Sequence, residues 1–290
     1  MSDAAFLREI ELAILNAPFE ERGWNRAVQG IVEATGSAAG HLLGMGGPLL
    51  LPLNVFEGDV PGIERYLGDP RFHAATNWRV GSVTVPMAIQ HEAHYAAYRQ
   101  THDTADYDDA ASDLDIMYGC QSALLLDQHN MLGIALLRGR RNGPCTPETL
   151  SRFAVLRRQL ARAVRLQMAL DGEAAEMMVG GAEQLHGATL LLDRHGSLCA
   201  VSPAAEPLFE EGGPLKLAGL GVELVTRSEN ASFQKALARL LAGDGYRDSL
   251  VHETRIGSEG RWRLFAVRLP HRENGLGFEP HLAITLKEAA

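Results

Sequence analysis

An α+β architecture is expected for this 290-residue chain: two tandem antiparallel-sheet domains joined by a long helix. Three observations carry the expectation. Each half holds a pair of short apolar runs set about a turn signal, "CQSALLLD" with "MLGIALLR" and "LLLD" with "SLCAV", the mark of a β-hairpin. Each half also holds stretches with the 3.6-residue apolar period of amphipathic helices. Between the two sets a helical pattern opens at Pro147 and runs to about 170, where Gly172, Gly180 and Gly181 begin to punctuate it. The length suits two domains better than one. The first is expected over 1–171, a linker over 172–185 and the second over 186–290.

The elements follow in order. Residues 4–16 place Phe6, Leu7, Ile10, Leu12, Ile14 and Leu15 largely along one helical flank, which Pro18 breaks. A second helix, about 22–35, carries Trp24, Ala27, Val28, Ile31 and Val32, with Gly36 as its C-cap. Strands are expected near 38–45 and 49–56, and helical stretches over 59–77 and 86–101. The stretch "DTADYDDAASDLD", with six aspartates, reads as a solvated loop. The first hairpin turns through Gln128, His129 and Asn130. Thr146 suits the N-cap of the long helix, with Pro147 at its first position and Glu148 in its first turn. Phe153, Leu156, Leu160, Ala163, Gln167 and Leu170 then form a heptad-like seam. Packing on the chain's own sheet and pairing with a second helix both remain open for it. In the second half, Leu190–Asp193 and Ser197–Val201 flank the turn Arg194-His195-Gly196. Ser202 is expected to cap a short helix, a helix follows near 229–243, and strands close the domain at about 247–256, 261–269 and 281–286.

Composition excludes several classes. The net charge of −9 argues against a face that coats phosphates. There is no apolar run long enough to span a bilayer. The first residues carry Asp3, Arg8, Glu9 and Glu11, unlike a secretory signal. Three dispersed cysteines without a C-x-x-C pair give neither a disulfide framework nor a zinc ribbon. The chain is expected in the cytoplasm, away from membranes.

The stretch "IQHEAHYAAYRQTHD" resembles H-E-x-x-H at first sight, but His91 is followed by His94, and Tyr95 stands where the second imidazole belongs. A metal-dependent enzyme built on His91 and His94 is therefore the alternative rather than the leading reading. The acidic stretch lacks the Gly and Glu of a calcium loop, and G-x-S-x-G, Walker and G-x-G-x-x-G patterns are absent. No catalytic residue, metal ligand or cofactor is assigned. Aromatic rings, however, concentrate between Tyr66 and Tyr118. Rings with polar tips are what a buried ligand site uses. Solid core packing is the plain alternative.

Two resemblances bear on these residues. "LLLDRHGSLCAVSPAAEPLF" and "GRWRLFAVRLP" resemble the opening and a late strand of a PAS domain, with Ser202 where many PAS domains have Asn. "GWNRAVQGIVEATGSAAGHLL", "YLGDPR", "HYAAYRQTHD" and "TPETLSRFAVLRRQLARAVRL" are similar to a GAF-like sensor. Together they resemble the sensory part of proteobacterial LuxR-type regulators. That resemblance implies a ligand-sensing homodimer, acting on DNA only through a helix-turn-helix beyond the residues of this chain. The order Tyr66, Asp69, Trp78 is similar to part of the autoinducer-domain pattern, although Asp69-Pro70 equally suits a helix start. The resulting ligand-binding candidates are Tyr66, Asp69, Trp78, His94, Tyr95, Tyr98 and Tyr118, with a small-molecule effector as partner. A dimerisation scaffold without a ligand is the third reading.

Overall fold

The computed structural model describes residues 3–46, 49–66, 76–126, 130–210, 212–242, 249–256, 260–270 and 276–289. The chain forms two compact units, Met1–Met45 with Leu53–Arg165, and Gly46–Pro52 with Leu166–Ala290. Each combines helices with antiparallel strand pairing, the expected α+β arrangement.

In the first unit, α1 (Asp3–Asn16) and α2 (Gly23–Thr35) pack closely where a Cβ at Gly30 would stand only 3.0 Å from Ile10. Gly36 ends α2 in the left-handed region, φ 58°, which glycine enters without steric cost. The sheet order is β2 (Leu49–Gly58), β1 (Ala39–Gly46), β4 (Asn130–Arg138), β3 (Tyr118–Leu126). Side chains alternate between its faces. The pairs Cys120–Leu136 and Ser122–Ile134 share one face. α2 covers that face at Gly40, where a Cβ would meet Val28 and Val32 at 2.8 Å. The long helix α6 (Pro147–His186) covers it too, since Arg157 Nη1 donates to Ser122 Oγ at 3.0 Å. The other face, with Ala39, Ala135 and Leu137, packs on α3 (Trp78–Gly81), α4 (Glu92–Arg99) and α5 (Ala105–Asp113).

Several expectations need correcting here. The acidic stretch is not a solvated loop: α5 runs through it and buries Tyr107, Ala110 and Ala111, while Asp106, Asp109 and Asp113 take the wet side and Asp108 turns to Trp78. Of the expected helix over 86–101 only Glu92–Arg99 is helical, because Gln90 is drawn into a bridge with Gln121 of β3. From the expected helix over 59–77 a short 3-10 helix, Ile63–Tyr66, is described; residues 67–75 and the turn residues Gln128 and His129 lie outside the described residues. Thr146 caps α6, its Oγ1 accepting from Thr149 N at 3.1 Å. The helix does not stop near 170 but continues through Gly172, Gly180 and Gly181 to His186. Of the seam, Phe153, Leu156, Leu160, Ala163 and Gln167 are buried within this single chain and Leu170 is half-buried, so it is a core seam and not an exposed pairing face.

In the second unit a five-stranded sheet has the order β6 (Leu198–Val201), β5 (Thr189–Asp193), β11 (Pro280–Ala289), β10 (Gly260–Arg268), β9 (Ser249–Ile256). One face packs through Leu190, Leu192, Leu264, Leu282 and Ile284 on Phe233, Leu237 and Leu241 of α7 (Arg227–Ala242) and on the small hairpin β7 (Leu215–Ala218), β8 (Gly221–Leu224). The opposite face sets Leu191 and Ala200 against Ala175 and Val179 of α6. Asp193 builds the β5–β6 turn, its Oδ1 accepting from His195 N and Ser197 N, both at 2.8 Å. Ser202 does not cap an α-helix. It is fully buried, its Oγ accepts from Thr189 N at 2.9 Å, and only a 3-10 helix, Glu206–Phe209, follows.

Candidate functional site

The sequence candidates that come together do so on the α3–α5 side of the first sheet. Asn77 starts α3, its Oδ1 accepting from Arg79 N at 2.9 Å, a short-range cap. That turn sends Trp78 inward, 1% exposed. Tyr95 reaches it from α4, ring centroids 4.6 Å apart, and Tyr107 from α5, edge-on at 5.1 Å. The Trp78 indole N–H donates to Asp108 Oδ1 at 2.9 Å. Asp108 also pairs with Arg99 at 2.9 Å and accepts from Thr104 Oγ1 at 3.0 Å. Tyr98, half-buried, lies across Gly81, where a Cβ would collide with its ring at 2.3 Å, and stacks on His102 at 3.8 Å.

At the centre is a residue the sequence reading passed over. Arg79 is 3% exposed, and its guanidinium carbon lies 4.7 Å from the Trp78 ring and 5.1 Å from the Tyr95 ring. Such contacts stabilise a cation by its attraction to the ring face. Nη2 donates to Ile116 O at 2.6 Å and Tyr118 O at 2.9 Å, fastening α3 to the start of β3. Nε and Nη1 are buried without a partner at hydrogen-bonding geometry, although the Tyr107 hydroxyl engages the guanidinium as a neutral side-chain partner. Burial works to lower the Arg79 pKa, but the phenols of Tyr107 and Tyr95 outweigh it and the group stays a cation, its pKa raised. Burial pushes the Tyr95 and Tyr107 phenols above their ordinary range, against the pull of Arg79, so both stay neutral hydroxyls. The Tyr95 hydroxyl donates to Gln90 O at 3.3 Å. The Gln121 side-chain amide donates to Arg79 O. Gln90 Oε1 is another buried atom without a partner. Gly119, at φ 137°, lets β3 pass here: a Cβ would strike Leu136 O at 1.9 Å and stand 3.3 Å from Arg79 Nη1.

The remaining candidates stand differently. His94 is exposed; its Nδ1 accepts from His91 N at 3.3 Å in a reciprocal cap of α4, so it faces away from the cluster. His91 packs edge-on against His94 and lies 3.7 Å from Glu92. Tyr118 contributes its carbonyl to Arg79. Tyr66 ends the 3-10 helix, with its side chain outside the description, and Asp69 lies outside the described residues. Among the described residues, no three His, Cys, Asp or Glu side chains gather as a metal site. Glu92 instead clamps backbone, accepting from Gly119 N at 3.0 Å and Cys145 N at 2.9 Å. Burial works to raise its pKa, but these bonds prevail and hold it below the carboxylate range.

The signal for Arg79 was present but weak. It directly follows a tryptophan in a four-residue helix, too short for any periodicity. Chemically the cluster offers flat apolar faces, three unspent N–H groups of a cation (one on Nε, two on Nη1) and an amide oxygen.

No protein-family model matches the chain, and no curated protein matches it. Among solved structures it is similar to the VqsR LBD domain from Pseudomonas aeruginosa, with 16% identity, 54% of this chain and 92% of that one covered, and a TM-score of 0.39. It is likewise similar to CepR2 from Burkholderia cenocepacia, an N-acylhomoserine lactone dependent LuxR family factor, with 19% identity, 56% and 93% covered, and a TM-score of 0.39. The bacteriophytochrome RpBphP3 from R. palustris matches over 97% of this chain and 63% of its own, at 12% identity and a TM-score of 0.35. Similarity at this level carries no argument about function.

Proposed function

We propose that the chain is a ligand-sensing regulatory module without catalytic activity, the cytoplasmic sensory part of a LuxR-type regulator with a GAF-like first unit and a PAS-like second. In this reading the first unit takes a small organic molecule at the Trp78–Arg79–Tyr95–Tyr107 cluster. The observation that carries it is the buried cation. For a solid core the two Nη2 bonds and the ring contacts leave part of the guanidinium's donors unmatched, and desolvating a charge is costly unless its hydrogen bonds are made. A site awaiting a ligand accepts that cost. The PAS-like assignment is supported by where its two carrying segments end up: the β5–β6 hairpin and β10 lie in one sheet, on either side of β11. Among the described residues no helix is long and apolar enough to cross a membrane.

The homodimer belongs to the same proposal, but on a different face of α6 from the heptad seam. Val155, Leu166 and Met177 recur at eleven residues and are 37%, 38% and 81% exposed. An eleven-residue spacing keeps side chains nearly aligned along a helix. The same face is basic in its first half, with Arg158, Arg162 and Arg165, and acidic in its second, with Glu173 and Glu176, all exposed. A second copy of the chain laid antiparallel about Leu166 and Gln167 sets each basic half against an acidic half. Parallel pairing would set like against like. Ligand binding then biases the module by its difference in affinity between two arrangements of α6.

Native mass spectrometry of the purified chain tests the ligand. A retained small molecule or, failing that, a thermal shift in a metabolite panel is expected for the wild type, and either is lost in Trp78→Ala. A wild-type chain that neither retains nor responds to any small molecule refutes the reading. A stoichiometric metal lost in His91→Ala would instead favour the enzyme.

A further inference from the structure

We propose that the molecule bound by the first unit is an anion: a compact carboxylate or related oxoanion with a flat apolar body, whose oxygens accept from Nε and Nη1 of Arg79. The inference rests on the ligand-sensing reading and narrows it to a chemical class.

The argument is a count of donors and charges. A guanidinium has five N–H groups and cannot be neutralised in a protein. Nη2 spends both of its own on Ile116 O and Tyr118 O. The three on Nε and Nη1 are buried without a partner at hydrogen-bonding geometry, and the one side-chain hydroxyl that engages the guanidinium, that of Tyr107, is neutral and brings no charge. The groups that act on its charge besides burial are Tyr107, Tyr95 and Cys120, all uncharged at neutral pH. The carboxylates that touch the residues of this cluster are engaged elsewhere: Asp108 by Trp78, Arg99 and Thr104, and Glu92 by the N–H groups of Gly119 and Cys145. The cluster therefore holds a positive charge with aromatic faces above it and no described carboxylate paired to it. An oxoanion supplies both missing quantities at once, the charge and the acceptor oxygens. A neutral ester, lactone or amide supplies the acceptor alone. Trp78, Tyr95 and Tyr107 take the flat body. Gln90 is tied to the cluster through Gln121, and its unpartnered Oε1 favours an anion that also carries a hydroxyl or amine donor.

The test uses the full chain with formate, acetate and benzoate as probes and benzamide as the uncharged match for benzoate, at constant ionic strength. Melting midpoint and calorimetry are read together. At least one carboxylate, benzoate above all, is expected to raise the midpoint saturably, with benzamide inert. Arg79→Met is expected to weaken benzoate binding by about thirty-fold or more, as removal of one partner of a buried charge pair does. Arg79→Lys, which keeps the charge, is expected to retain part of it and guards against a mere folding defect. Absence of any carboxylate response in a folded wild type overturns the proposal. So does equal binding of benzamide and benzoate. If a neutral molecule is nonetheless retained and lost in Trp78→Ala, ligand sensing stands and only the anion fails. If nothing is retained or bound, both fall.

Discussion

Asp193 and His195 are neighbours in one turn, yet burial moves their protonation in opposite senses. Burial raises the Asp193 pKa to about 7, against the pull of the Ser197 and His195 N–H bonds. Burial also lowers that of His195 to about 4, helped by Arg194. Native Asp193 keeps a proton that the unfolded chain, at its ordinary 3.8, has lost. Its stabilisation is thus complete below about 4 and is lost as pH rises to about 7. Native His195 lacks a proton that the unfolded chain binds below 6.5, so its stabilisation is present above that value and is lost as pH falls toward about 4. The two slopes oppose each other across the same window. In urea titrations from pH 4 to 8, Asp193→Asn is expected to leave stability rising with pH up to about 6.5, and His195→Gln to leave it falling up to about 7. Asn keeps the Oδ1 acceptor of the turn, so the changed slope in that variant cannot be assigned to a broken turn. Unchanged slopes in both variants would remove these groups from the account.

At the scale of elements, α6 shows how length and local propensity part ways. Three glycines lie in its interior, at 172, 180 and 181. Glycine weakens a helix because it loses more backbone freedom on folding than alanine does. A Cβ at Gly172 or Gly180 would meet nothing within 4 Å, so there is space for alanine at both. Gly172→Ala and Gly180→Ala are each expected to stabilise the chain by about 0.5–1 kcal/mol, read as a higher urea midpoint at unchanged slope. A fall in the midpoint would mean that the helix is required to yield at these positions. The acidic stretch shows the converse. Six aspartates look like a loop, but Tyr107, Ala110 and Ala111 at helical spacing are enough to seat α5 on the core.

For the whole molecule, the exposed outer face of α6 sets the expected assembly. Leu166→Glu sets two acids against each other beside the antiparallel axis, Met177→Arg puts a base opposite the partner's basic half, and each removes an apolar contact. Both are expected to shift the chain from dimer to monomer in light scattering at micromolar concentration, with unchanged circular dichroism. Pairing of α6 is refuted if both variants keep the wild-type mass or if the wild type is itself a monomer. A cysteine introduced at position 166 should cross-link two copies readily in the antiparallel arrangement, since that position sits beside its axis.

How much of this could be read in advance follows the range of the forces involved. The strand pairs, the Gly36 cap, the Thr146 cap and the Asp193 turn were legible because each depends on residues a few positions apart. Trp78, Tyr95 and Tyr98 were legible as a group because large rings concentrated in one stretch must be buried somewhere. His94 was misplaced because α4 begins only at Glu92, which turns that position to solvent. Ser202 was misjudged because its strongest partner, the Thr189 N–H, belongs to the neighbouring strand. Arg79 was passed over because in the linear chain it is one arginine among many, on a helix of one turn. Its burial arises only when α3, α4, α5 and β3 converge and Gly119 lets the backbone pass. Local pattern decided the two main hairpins, the caps and most helices, but not α5, the length of α6 or the β7–β8 hairpin. Packing between distant segments decided which charge lies inside, because desolvation depends on every neighbour in space and not on neighbours in the chain.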